Sequence, residues 1–173
     1  MNKVLYVVSG LADLCILLVI YQFMKKKKGW RFDERQTEAQ GLAYKFGFFT
    51  FLICAFVFIV LSKLGVTWCE DAMRPAVAVF FSAAVFAVTA IVKDAFDPLQ
   101  ESPRTTILLS YLVVVIDLII GWQYLVNGNI IADGVLTVNS SYLLCAVLFF
   151  IIGTTELIHW LNHRGAGEDG DAE

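Results

Sequence analysis

Hydrophobic residues in this chain lie in long runs that alternate with short polar segments. Five runs are each about 20 residues long, which at about 1.5 Å per helical residue is enough to cross the roughly 30 Å hydrocarbon core of a bilayer. The runs cover residues 4–24, 44–64, 75–92, 106–126 and 140–161. We therefore predict an all-α fold, an integral membrane bundle of five transmembrane helices.

A soluble helical bundle is the alternative, but each of its helices would need a polar stripe with a 3.6-residue period. The five runs are apolar on all sides. Composition favours the membrane, because 58% of the 173 residues are hydrophobic and 17% are charged, whereas about a quarter of an ordinary domain is charged. We predict one transmembrane domain over residues 1–161 and a disordered acidic tail over residues 162–173.

The distribution of Lys and Arg predicts the orientation, because loops on the cytoplasmic side are enriched in them. Ten of the thirteen fall in the first loop, the third loop and the tail. They are Lys25, Lys26, Lys27, Lys28, Arg31, Arg35, Lys45, Lys93, Arg104 and Arg164. The N-terminus is then outside and the C-terminus cytoplasmic, with the first run an uncleaved anchor because its charges follow the apolar segment. The predicted location is the cell membrane.

The four consecutive lysines Lys25, Lys26, Lys27 and Lys28 follow the first run directly. Against an anionic inner leaflet, each Lys contributes about 1 kcal/mol of attraction. We expect them to contact lipid headgroups, with the bilayer as partner and no nucleic acid.

The segment before the second run has the pattern of a helix start. Asp33 is a favourable N-cap, and Gln36 three residues later completes a capping-box pair. Apolar residues recur on one face, which predicts an amphipathic first part near the headgroups. They are Phe32, Ala39, Leu42 and Phe46.

Small residues at four-residue spacing allow two membrane helices to approach closely. Ala39, Ala43 and Gly47 form one such strip, and Ala83 and Ala87 belong to a similar strip on the third run. We expect both to serve helix packing.

The tetrad Asp33-Glu34-Arg35-Gln36 beside a membrane span resembles small uncharacterised multi-span membrane proteins of Gram-positive bacteria, in which a comparable tetrad flanks a helix. The resemblance covers the tetrad and the following span. It implies a membrane location and brings no activity with it.

Three acidic residues lie inside the runs: Asp13 and Asp117 near the middle, and Glu156 near the end of the last. A charge at mid-bilayer costs a few kcal/mol, so these side chains are expected to face the bundle interior. They either hydrogen-bond between helices or form a proton or cation relay. The absence of Gly/Pro-broken helices and of a clear inverted repeat favours helix-to-helix hydrogen bonding.

Glu156, His159 and His163 have the spacing that places three residues on one helical face. Di-iron bundles need two Glu-x-x-His pairs and two further glutamates, and this sequence contains only two histidines. We predict no metal and no cofactor, with interfacial histidines as the ordinary interpretation and a single metal ligand set, Glu156, His159 and His163, as the alternative.

The loop 127–139 contains Asn-Gly and Asp-Gly dipeptides, the second flanked by apolar residues, which predicts a small hairpin at the outer surface. Cys69 lies in the other outer loop.

The chain lacks a Ser-His-Asp order, a phosphate-binding glycine loop and a zinc motif, so no enzymatic activity is expected. The leading hypothesis is a structural, regulatory or accessory membrane protein that binds another membrane protein or itself as a homo-oligomer. The alternative is a proton- or cation-coupled transporter or channel component that uses the midplane carboxyls.

Overall fold

The computed structural model describes residues 32–97 and 102–168, with side chains in the last segment described up to His163. Within these residues the regular structure is helical apart from one small hairpin. Four helices are long and apolar enough to cross a membrane. They are α1 (Glu34–Lys63), α2 (Met73–Val92), α3 (Pro103–Val126) and α4 (Ser141–Glu168).

These four helices confirm the second to fifth predicted spans as long apolar helices. The first predicted span, residues 4–24, lies outside the described residues, as do Asp13 and the lysine run Lys25, Lys26, Lys27 and Lys28. The described residues therefore contain four of the five predicted spans as helices of sufficient length and apolar character.

Helix α1 begins ten residues before the predicted span because its N-terminus is capped as the sequence predicts. The Asp33 side chain accepts a hydrogen bond from the Gln36 backbone N–H (2.6 Å), and the Asp33 backbone N–H donates to Gln36 Oε1 (3.3 Å). This reciprocal capping box satisfies two backbone donors that a helix start leaves free. With 30 residues, α1 is about 45 Å long, so it exceeds the hydrocarbon thickness.

Helix α2 ends in a turn that places an aspartate in a left-handed backbone conformation. The Asp94 N–H donates to Ile91 O (3.0 Å) and the Ala95 N–H to Ala90 O (2.8 Å). These two bonds define a Schellman motif, in which the residue with positive φ is usually Gly. Asp94 has φ of 55°, so the backbone is strained at a residue that carries a carboxylate.

Helix α4 continues beyond the predicted end of the last span at Leu161 as far as Glu168. The helix thus includes residues 162–168, which composition assigned to the disordered tail. The His163 ring Nδ1 lies 3.0 Å from the His159 backbone carbonyl oxygen, so this side chain folds back onto the preceding turn of α4. Residues 169–173 lie outside the described part of the chain.

The described helices pack in the order α1, α2, α4, α3, because α2 contacts both α1 and α4, and α3 packs on α4. Their buried positions are mainly small or polar, and their large apolar side chains are exposed. On α3, for example, the buried face is Ser110, Val114, Asp117 and Gly121. This distribution is opposite to that of a soluble bundle. It is the one expected when lipid covers the outside and small residues bring helices together.

Glycine permits the closest helix contacts. A Cβ on Gly47 of α1 would lie 3.2 Å from Phe86 Cβ and 3.3 Å from the Ser82 carbonyl oxygen of α2. The Ser82 hydroxyl donates to Gly47 O across the same contact (2.9 Å). Ala43, from the same predicted strip, is fully buried. The α1 strip thus packs on α2, and Leu42 and Phe46 of the predicted apolar face are exposed.

The predicted hairpin lies at the end of the bundle where α3 ends and α4 begins. Strands β1 (Ile131–Ala132) and β2 (Val135–Leu136) pair antiparallel. The turn residues Asp133 and Gly134 both have positive φ, as a type I′ turn requires. The loop after α1 pairs with β2 as well: Glu70 N–H donates to Leu136 O (2.9 Å) and Leu136 N–H to Trp68 O (3.0 Å).

Cys69 lies beneath this hairpin rather than on the surface. Its side chain packs with Met73 and Val77 and is only 2% exposed. Burial raises the pKa of the Cys69 thiol, because the thiolate loses solvation, although the charge of Arg74 opposes the shift. The thiol is a free one and is poorly reactive at neutral pH.

We expect Gly47→Leu to destabilise the protein by about 1–3 kcal/mol, because the larger side chain pushes α1 away from α2. Thermal unfolding in detergent measures the change. Gly41→Leu is the matched control, since Gly41 lies on the same helix and a Cβ placed on it would have nothing within 4 Å. Equal melting temperatures for the two variants would contradict close α1–α2 packing at Gly47.

Candidate functional site

A group of polar side chains gathers where α1 begins and where α2 and α4 end. We call Arg35, Gln36, Asp94, His159 and His163 the Asp94 cluster. Arg35 and Gln36 lie in the first turn of α1, Asp94 follows α2, and the two histidines lie near the end of α4. Residues far apart in sequence thus meet at one end of the bundle.

The Asp94 carboxylate is the centre of this cluster. Its Oδ1 lies 3.5 Å from His159 Nε2 and 3.9 Å from His163 Nε2. Its Oδ2 lies 3.6 Å from Arg35 Nη2. The two oxygens therefore have separate partners, histidines on one side and a guanidinium on the other.

Two glutamine side chains attach α1 to the turn that carries Asp94. Gln36 Nε2 donates to the Asp94 carbonyl oxygen (2.6 Å), and Gln40 Nε2 donates to the Ala95 carbonyl oxygen (2.9 Å). Gln36 is buried and also completes the capping box of α1. These bonds satisfy carbonyls that the end of α2 leaves without helical partners, and they fix the position of Asp94.

The two histidine rings lie side by side, with centroids 4.3 Å apart, because a separation of four residues places them on one helical face. His163 Nδ1 is 3.0 Å from the His159 carbonyl oxygen. A carbonyl only accepts hydrogen bonds, so this contact assigns the proton to Nδ1. His163 Nε2 is then the ring nitrogen that faces Asp94.

Asp94, His159 and His163 also form a set of possible metal ligands whose donor atoms all lie within 4.8 Å of one another. Asp94 and His163 are exposed and His159 is partly buried, so the set is reachable from solvent. Among the described residues Glu156 is not a member of this set. The sequence hypothesis of Glu156, His159 and His163 thus places two of these three residues correctly together and lacks Asp94.

Glu156 lies deeper in the bundle and is 5% exposed. Its carboxyl group interacts with that of Asp97, and Asp97 Oδ1 also accepts a hydrogen bond from Thr106 Oγ1 (2.8 Å). Two carboxyls in contact favour a shared proton over two negative charges. This pair connects the segment after α2 with α3 and α4.

Asp117 is buried in the middle of α3, with 9% exposure. Its carboxyl lies within hydrogen-bonding reach of the Cys145 thiol on α4, and its Oδ2 has no hydrogen-bond partner. Asp117 therefore faces the bundle interior, as predicted for an acidic residue in a span.

Asp117 and Glu156 are not neighbours. Cys145, which contacts Asp117, precedes Glu156 by eleven residues on α4, a rise of about 16 Å. Between them α3 and α4 touch closely, since a Cβ on Gly153 would lie 3.1 Å from Ser110 Cβ. A direct proton transfer needs donor and acceptor within about 3.2 Å or one bridging water, so these two carboxyls do not form a continuous path.

The small-residue strips lie at helix contacts. Ala43 and Gly47 are buried against α2, and Ala87 is buried in a cluster with Ile91 and Ile152. Ala39 and Ala83 are partly buried.

Sequence reasoning missed Asp94 and the second role of Gln36. The sequence contains one weak indication of Asp94: an acidic residue occupies a position after a helix where Gly is usual. Its histidine partners are more than 60 residues further along the chain.

Comparison with family models, curated proteins and solved structures finds no match to this chain. The site is therefore interpreted from its own geometry.

Proposed function

We propose that this chain is a non-enzymatic accessory or regulatory protein of the cell membrane, which works by binding another membrane protein or a second copy of itself. In this proposal the chain crosses the membrane five times, with the N-terminus outside and the C-terminus cytoplasmic. The fifth proposed span is the apolar run 4–24. In the described bundle the Asp94 cluster, which includes Arg35, lies at the same end as Lys93 and Arg104, and these basic residues support a cytoplasmic position for that end.

One observation carries the functional proposal: the polar side chains of the bundle join helices to one another. The Asp94 cluster links α1 and α4 to the end of α2. The Asp117–Cys145 contact links α3 and α4 in the membrane interior. Such contacts between helices support a structural or regulatory role, because they hold a specific arrangement and, within the described part of the chain, Asp117 and Glu156 are not joined by a continuous polar path.

The transporter or channel alternative is favoured by two buried carboxyl oxygens without a hydrogen-bond partner, Asp117 Oδ2 and Glu156 Oε2. The separation of Asp117 from Glu156 and the tight Gly153–Ser110 contact count against it.

Cysteine labelling tests the orientation. Ile131 is 58% exposed at the hairpin, so Ile131→Cys should react with a membrane-impermeant maleimide on intact cells. Glu38→Cys, at the exposed start of α1, should react only after permeabilisation. The native chain is the background control, since the buried Cys69 thiol has a raised pKa. The reverse labelling pattern would overturn the proposed sidedness.

Site-specific photo-crosslinking in native membranes tests for a partner. A photoreactive residue replaces Phe56 on α1, Leu112 on α3 or Phe150 on α4, each more than half exposed. We expect one discrete protein adduct, strongest at one of the three positions and identified by mass spectrometry. An adduct of twice the monomer mass would show self-association. Lipid adducts alone at every position would contradict an accessory role.

Flux measurements separate this proposal from the transporter alternative. Purified protein in vesicles with a pH or cation gradient should give the same leak as protein-free vesicles at every pH. Asp117→Asn should leave this leak unchanged and alter the free energy of unfolding by no more than about 1 kcal/mol, since the amide keeps a hydrogen bond to its neighbours. A protein-dependent flux that Asp117→Asn abolishes would establish the transporter alternative instead.

A further inference from the structure

We infer that Asp94, His159 and His163 form a binding site for a divalent first-row transition-metal ion, for which Zn²⁺ is the probe. The inference deepens the proposed regulatory function by naming the ligand of the Asp94 cluster. Only the biological role of the bound ion rests on that proposed function. The binding itself follows from the geometry of three side chains.

The donor atoms are already near the separations that a metal requires. Zn²⁺ binds His nitrogen and carboxylate oxygen at about 2.0–2.2 Å, so tetrahedral ligand atoms lie about 3.3–3.5 Å apart. The distances from Asp94 Oδ1 to His159 Nε2 and His163 Nε2 are 3.5 and 3.9 Å. Small side-chain rotations bring the three atoms around one ion, and a fourth position stays open for water or another ligand.

The surroundings of the ligands match those of metal sites. A metal-binding histidine usually donates its second ring N–H to a carbonyl or carboxylate, which fixes the tautomer. His163 Nδ1 has this contact with the His159 carbonyl oxygen at 3.0 Å. Arg35 lies at Oδ2 of Asp94, so it orients the carboxylate and leaves Oδ1 for the ion.

The backbone at Asp94 supports the same assignment. Its φ of 55° is one that Gly adopts without cost, whereas the left-handed region is strained for Asp. A strained residue that aims its side chain at two histidines indicates a role for that side chain beyond ending a helix.

The donor set decides the class of metal. Two imidazole nitrogens and one carboxylate oxygen suit Zn²⁺ and similar transition-metal ions. Ca²⁺ and Mg²⁺ require mostly oxygen ligands, six or more for Ca²⁺. The other interpretation is a metal-free ion pair between Asp94 and protonated histidine.

The test uses the full-length protein, without a polyhistidine tag, in nanodiscs after removal of metals with a chelator. Titration calorimetry with ZnCl₂ should show one Zn²⁺ per chain. Co²⁺ should give the visible absorption bands of a tetrahedral site. MgCl₂ should give no heat of binding.

Three variants remove one ligand each. His159→Ala and His163→Ala should weaken Zn²⁺ binding by at least the roughly 10–100-fold that loss of a supporting group causes. Asp94→Gly is the sharpest variant, because Gly relieves the positive-φ strain. It should weaken Zn²⁺ binding while the melting temperature without metal stays equal or rises.

Glu156→Gln is the matched control, since Glu156 is on the same helix but outside the ligand set. It should keep the affinity of the native protein. No Zn²⁺ binding by the native protein, or equal binding by all three ligand variants, would overturn the inference. A loss in Glu156→Gln as large as in His159→Ala would assign the site to Glu156 instead. If the protein binds Zn²⁺ and no membrane partner is found, the accessory role alone is refuted. If a partner is found and Zn²⁺ does not bind, only this metal site is refuted.

Discussion

The structure depends on how helices associate when lipid covers their apolar surfaces. Lipid tails are as apolar as Leu, so burying large apolar side chains between helices gains little, and close packing must hold the bundle together. The described helices follow this constraint. Gly47 of α1 packs closely on α2. At the α3–α4 contact, Gly121 of α3 packs on α4 and Gly153 of α4 packs on α3. Large side chains such as Phe56 and Trp122 point outward. The interior is therefore narrow, and the polar residues within it contact only their immediate neighbours.

Local features of this fold follow from the sequence because their causes are local. The long apolar runs specify helices that satisfy their own peptide groups, and Asp33 with Gln36 specifies where α1 starts. The Asp-Gly pair at 133–134 specifies the hairpin turn. Helix α4 runs past the end of its apolar run, because polarity marks the end of an apolar run and says little about the end of a helix.

Only part of the candidate site can be predicted from the sequence. The i, i+4 spacing brings His159 and His163 together on any helix. Their carboxylate partner depends on tertiary structure: spacing suggested Glu156, yet this residue lies one turn deeper and interacts with Asp97. Asp94 comes from another helix end, and its side chain reaches the histidines only because the turn after α2 has a left-handed residue. Such a conformation has no pattern in the sequence beyond an unexpected residue at a helix end.

The position of Asp94 at the ends of helices, rather than within the membrane, sets the electrical environment of the proposed ion. In the proposed orientation this end borders the inner leaflet, whose surface potential is about −30 mV. A potential of this size concentrates a doubly charged cation about tenfold over the cytosol by the Boltzmann relation. A site with modest intrinsic affinity would then be occupied to an extent that depends on the anionic lipid content of the leaflet. Lipid composition would in this way act on the Asp94 cluster without a lipid headgroup binding to the cluster.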